Sequence, residues 1–184
     1  KSWDPHLKNS GQAVIDGIQR CKKKNRALIL GSGHLFDLPL YELSQNFNEV
    51  ILVDILHPRR VRKIVKGLTN VSLFDADVTG VIPHVFTTPH KLYESKPILF
   101  LDQEIDYVVS LNLLSQLPVI PNKWLRKKGI GDAIVYGFCK HLIETHIEYL
   151  TKFSGQKLLI TDTDFIALDE DGEEAARESA IYDV

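Results

Sequence analysis

Three short stretches of the chain combine residue types and spacing that suit a nucleotide-like ligand. The first, Gly31-Ser32-Gly33, follows the apolar run Ala27-Leu28-Ile29-Leu30. Glycines just past a buried strand let the backbone approach a ligand closely, and a helix starting there offers free N–H groups. Taken alone, the stretch is equally well explained as a tight turn. The second is Asp54, which closes "EVILVD" 21 positions after Gly33. An acid about 20 residues past a glycine turn accepts hydrogen bonds from ribose hydroxyls in dinucleotide-binding folds; an Asp at a strand end also serves to cap the next helix. The third is "FDADVTG", with Asp75 and Asp77. A carboxylate there accepts from an exocyclic amine of a base, and the Val78 N–H can donate to a ring nitrogen. Either acid fits.

These residues share one site only if parallel strands bring their ends to one edge, and the hydrophobic pattern calls for that arrangement. Short apolar runs alternate with helical segments, the signature of a βα repeat with a mostly parallel sheet. Strands are expected at Ala27–Leu30, Glu49–Asp54, Val71–Phe74, Ile105–Leu111 and Lys157–Thr161. The first two lack polar alternation and read as buried on both faces. Residues 10–24 read as an amphipathic helix with Ser10 as N-cap and Val14, Ile15 and Ile18 on one face. Leu38–Asn46 is the next helix, and Pro58 starts a third that Gly67 ends. A long helix is expected over 133–153, capped by Asp132, with Ile134, Phe138, Leu142, Ile147 and Leu150 as its apolar stripe. Residues 79–104 are broken by Pro83, Pro89 and Pro97, and the acidic end "DEDGEEAARES" reads as surface loop.

Bulk properties narrow the function. The 184 residues suit one core, with 1–26 as a helical segment or lid and 27–184 as the main domain. A formal net charge of -2 gives no basic footprint, so a nucleic-acid partner is not expected. The basic group Arg59, Arg60, Arg62, Lys63 and Lys66 reads as a solvated helix face, since no aromatic residue interleaves with it in the sequence. No apolar run spans a membrane, no spacing of His and Cys suits a metal, and two isolated cysteines fit a cytoplasmic protein. A nicotinamide fingerprint fails for want of a third glycine at 34–36, and a phosphate loop fails for want of Gly-Lys-Ser/Thr.

In order, "LILGSG", "VILVD", "DADV" and "IDYVVSLNLLSQLP" resemble the class I S-adenosylmethionine-dependent methyltransferases over residues 27 to about 165. The resemblance implies a three-layer α/β Rossmann-like sandwich with a mostly parallel twisted sheet and one antiparallel strand near its edge. It implies S-adenosylmethionine as cofactor, S-adenosylhomocysteine as product, and methyl transfer to a small-molecule or otherwise unidentified acceptor. The alternative is a non-catalytic module of the same fold that binds a cofactor or a protein partner. By the resemblance Gly31, Ser32 and Gly33 form the cofactor loop, Asp54 with Ile55 holds the ribose, and Asp77 with Val78 contacts adenine. Leu111 and Asn112 stand where the fourth-strand motif faces the methyl-transfer site, with Ser115 and Gln116 just beyond. Ile29 stands where the family often has an acid, and Leu35 where it often has a third glycine. Little sequence follows Thr161 for the family's closing strands, so the resemblance implies an incomplete C-terminus.

Overall fold

A computed structural model describes residues 3–82, 84, 93 and 96–184. Its centre is a five-stranded parallel sheet in the order β3-β2-β1-β4-β5. The strands are β1 (Arg26–Leu30), β2 (Glu49–Asp54), β3 (Val71–Asp75), β4 (Tyr107–Leu111) and β5 (Gln156–Ile160). Leu28 of β1 pairs in register with Ile51 of β2 on one side and Val108 of β4 on the other. Residues 27–30, 50–53 and 107–111 are all buried. These are the continuous apolar runs of the sequence, covered on both faces as parallel strands require.

Helices α1 (Asp4–Arg20), α2 (Leu40–Asn46) and α3 (Arg59–Val65) supply one layer. Their Val14, Ile18, Leu43, Val61 and Val65 pack with Ala27, Ile29, Val50, Leu52 and Val109. Successive strand residues point to opposite faces, so Leu28, Leu30, Ile51, Val53 and Val108 form a second core with Tyr149, Leu150 and Phe153. Those last residues bring in α5 (Asp132–Thr151), which also packs with α4 (Val119–Lys127) through Val135, Phe138, Cys139, Leu142 and Leu125. The result is a three-layer Rossmann-like sandwich.

Several local expectations shift. Helix α1 begins at Asp4, so Ser10 is buried inside it instead of capping it. Pro5 at the helix start fits the first turn, where no N–H bond is lost. The helix docks on the sheet through Val14 and Ile18. Gly17 makes that docking possible, because a Cβ there would lie 2.0 Å from the Tyr107 hydroxyl, which donates to the Val14 carbonyl at 3.1 Å. Phe138, Leu142 and Leu150 of the expected stripe of the long helix are buried, but at its start Val135 is buried in place of Ile134, which is 59% exposed. Helix α4 was not anticipated. Among the described residues the main sheet has no antiparallel strand. Instead β6 (Asp164–Leu168) and β7 (Glu174–Ser179) form a separate, exposed antiparallel hairpin where a surface loop was expected. Pro83 and Pro89 lie outside the described residues.

Candidate functional site

Parallel strands deliver the candidate residues to one edge. β2, β1 and β4 lie side by side in the sheet, and Asp54, the glycine turn and Asn112 stand at or just past their carboxyl ends. Neighbouring strands are about 5 Å apart, so these three points span roughly 10 Å of that edge. A cleft of about 300 Å³ opens there, and its walls include Gly31, Gly33, Asp54, Ile55, Asp77, Val78, Leu111 and Asn112. Strand order reverses on either side of β1, which places the cleft at a topological switch point.

The glycine turn is shaped by its neighbours. Gly31 has φ +80, and a Cβ on it would lie 2.8 Å from both the Leu111 carbonyl oxygen and Leu113 Cβ. Glycine is therefore required twice, by conformation and by the approach of the β4 end. The N–H groups of Gly31 and Ser32 donate to the Val53 carbonyl at 2.9 and 3.3 Å. Leu35, just past the turn, has a left-handed backbone at φ 65, a conformation that a residue with a side chain adopts at a cost.

Asp54 accepts from the Gly33 N–H through Oδ2 and from the Ile55 N–H through Oδ1, each at 2.7 Å. One bond per oxygen leaves a further acceptor direction on each, so the carboxylate is aimed and still open. Asp77 is differently placed. Its Oδ1 accepts from the N–H and hydroxyl of Thr79 at 2.9 and 2.6 Å, and its Oδ2 from the Ile82 N–H at 2.9 Å. It holds its own turn together, and one acceptor direction is left on Oδ2. Val78 is buried beside it.

Ser32 is the one expected cofactor residue that does not line the cleft. Its side chain is 1% exposed and meets His57 Nε2 at 2.9 Å. Asp75, the alternative acid of "DAD", is absent from the cleft walls too. It meets His57 Nδ1 at 2.5 Å and the Arg62 guanidinium. The His57 hydrogen bond, ahead of the Arg62 contact, holds its carboxyl down at about 2. His34 stacks on Phe36 away from the cleft, and Ser115 is buried outside it.

Two features of the cleft went unread in the sequence. Asp37 lines it and accepts from Asn112 Nδ2 at 2.6 Å. It is the only acid between the glycine turn and α2, which was the available signal. Because a carboxylate only accepts, Asn112 must turn its amide nitrogen to Asp37. Asn112 Oδ1 is then buried without a partner among the described residues, on a backbone at φ 49. Gln116 lines the same wall and donates to the Asn112 carbonyl at 2.6 Å. The described lining holds three carboxylates, Asp37, Asp54 and Asp77, and no Lys, Arg or His; every hydrogen bond described to them comes from a neutral donor. Val81, Ile82, Leu113, Leu117 and Ile120 make the remainder apolar.

No protein-family model matches the chain, and no curated protein matches it. Among solved structures, the chain is similar to DhpI in its complex with SAH, at 15% identity and a TM-score of 0.46 over 94% of this chain and 68% of that one. The DhpI–SAM–HEP complex gives 12% identity and 0.44 over 90% and 67%. The YcgJ protein of Bacillus subtilis gives 14% and 0.42 over 82% and 62%.

Proposed function

We propose that the cleft binds S-adenosylmethionine and that the chain transfers its methyl group to a small-molecule acceptor. The observation that carries this reading is the convergence of the Gly31–Gly33 turn, an aimed Asp54 and the Leu111–Asn112 corner on a single cleft at the switch point of the sheet. The residues present fit the cofactor. Asp54 keeps an open acceptor direction on each oxygen for a pair of ribose hydroxyls. Asn112 Oδ1 lacks a donor, and three carboxylates without a facing cation suit a ligand of positive charge. Asp37 and Asn112 would take its ammonium end and Asp54 its ribose, with Val78 beside the base. Asp77 would act mainly by holding the Thr79–Ile82 turn, because its oxygens already receive three donors.

The bound cofactor supplies an activated sulfonium methyl for in-line displacement. This chain's residues then contribute proximity and orientation, and the apolar wall of Val81, Leu113, Leu117 and Ile120 keeps water from the reacting centre. Among the described lining residues only aspartates can take a proton, which favours an acceptor whose nucleophile needs no stronger base.

Calorimetric titration with S-adenosylmethionine or S-adenosylhomocysteine tests the reading. Submillimolar binding is expected, and Asp54→Ala should weaken it more than a hundredfold, since two hydrogen bonds to a carboxylate contribute about 3 kcal/mol or more. Failure of the wild-type chain to bind either molecule refutes the proposal. The lack of any base stronger than an aspartate among the described lining residues also suits a second reading, a module that binds the cofactor without turnover; a methyl-acceptor screen separates the two.

A further inference from the structure

We propose that Ser32, His57 and Asp75 form a buried positioning relay that sets the ligand affinity of the glycine turn; this rests on the S-adenosyl reading of the cleft. Their connectivity is that of a hydrolytic triad, with Ser32 Oγ 2.9 Å from His57 Nε2 and His57 Nδ1 2.5 Å from Asp75 Oδ1. A nucleophile must reach a substrate, however, and Ser32 is 1% exposed, His57 is 2% exposed, and neither lines the cleft. The three residues act on the wall of the site, not inside it.

The direction of each bond follows from Asp75. Its Oδ1 accepts from the backbone N–H of His57 at 3.1 Å as well as from Nδ1, and its Oδ2 accepts from Arg62. An acceptor at Nδ1 fixes the proton on that nitrogen, which leaves Nε2 of the neutral ring bare. With the neutral ring the Ser32 hydroxyl therefore donates to Nε2, and its one proton points to a residue that does not line the cleft. Arg62 closes the network by donating from Nε to the His57 carbonyl at 3.2 Å. His57 is held by main chain and side chain together, from β3 through Asp75 and from α3 through Arg62.

What the relay holds is the part of the wall that faces the ligand. Ser32 sits between the two cleft-lining glycines, and His57 follows Asp54 by three residues and Ile55 by two. Gly33 in turn donates to Asp54. One imidazole thus fixes the turn and the Asp54 corner relative to each other. A binding wall held in shape before the ligand arrives avoids an ordering cost on binding. Without the Ser32 hydroxyl, the fully buried His57 side chain loses its Nε2 donor and the turn loses its side-chain tether.

The experiment combines histidine nitrogen NMR with calorimetry, using S-adenosylhomocysteine as the probe on the wild-type chain, Ser32→Ala and Asp75→Asn. In the wild type, His57 is expected as the Nδ1–H tautomer. Its Nε2 resonance should move on adding the probe, although the ring does not line the cleft. Ser32→Ala should abolish that movement and weaken probe binding roughly tenfold, the scale of one hydrogen bond to a buried ring. Asp75→Asn should weaken binding and release the tautomer preference. An Nε2–H tautomer in the wild type, no probe-linked movement of Nε2, or undiminished affinity in a less stable Ser32→Ala protein would overturn the relay while leaving the S-adenosyl reading intact. A wild-type chain that does not bind the probe overturns that reading, and the relay's role in affinity with it.

Discussion

Acid should destabilise the fold through a buried histidine that does not line the cleft. His146 on α5 is fully buried and meets the hydroxyl of Ser110 on β4 at 3.0 Å, while its Nδ1 has no partner among the described residues. Burial lowers its pKa from 6.5 to about 4. At pH 7 the ring is neutral in folded and unfolded chains alike, so the full stability is present. As pH falls through 6.5 the unfolded chain takes up a proton that the folded chain refuses, and stability declines until about pH 4, where the folded ring protonates as well. One pH unit of this difference amounts to about 1.4 kcal/mol at most, so the loss between pH 7 and pH 5 is about 2 kcal/mol. Urea unfolding of the wild type and His146→Gln at both pH values checks it. The variant starts less stable at pH 7, since Ser110 is fully buried and its partner has changed, but it should lose about 2 kcal/mol less than the wild type on acidification. Parallel losses in the two proteins would show that the ring is already charged in the fold or that it titrates normally there, and either result refutes the argument.

Two glycines give further predictions. Gly17→Ala in mid-helix would usually stabilise by about 0.5–1 kcal/mol. Here a Cβ would lie 2.0 Å from the Tyr107 hydroxyl, so thermal unfolding should instead show a loss of about 2 kcal/mol or more, the scale of overpacking a core. Gly31→Ala imposes a left-handed backbone on a residue with a side chain and drives its Cβ to 2.8 Å from a backbone oxygen. A loss of about 2–4 kcal/mol is expected, roughly 5–15 °C in Tm for a chain of this size, together with loss of S-adenosylhomocysteine binding.

Much of this molecule was legible before any coordinates. The runs Ala27–Leu30, Glu49–Asp54 and Ile105–Leu111 lack polar alternation, and only a parallel sheet covered on both faces hides such strands. Once the strands are parallel, their carboxyl ends share an edge. Gly31, Gly33, Asp54, Asp77 and Asn112 were therefore committed to one neighbourhood by chain order alone. Helix ends were less legible: Ser10 looked like a cap, but the helix starts at Asp4, where Pro5 fits the first turn, and Ser10 lies buried inside it.

The tertiary structure decided where side chains point and which acceptors remain free. Ser32 lies between two cleft residues in sequence, yet its hydroxyl turns to His57, 25 positions away. Asp77 stands in sequence as a candidate contact to a base, but three local donors reach its oxygens, two of them at Oδ1. Asp37 gained its place only because the loop after β1 meets Asn112 from 75 positions away. Phe36, distant in sequence from the basic cluster, lies beneath Arg60, with the guanidinium 5.5 Å from the ring centre, so even the absence of aromatics among those basic residues was a property of the sequence and not of the surface. The physical reason is common to all four. Periodicity reports which face of a strand or helix is apolar, whereas the aim of a single polar group depends on a turn's dihedrals and on partners from another part of the chain.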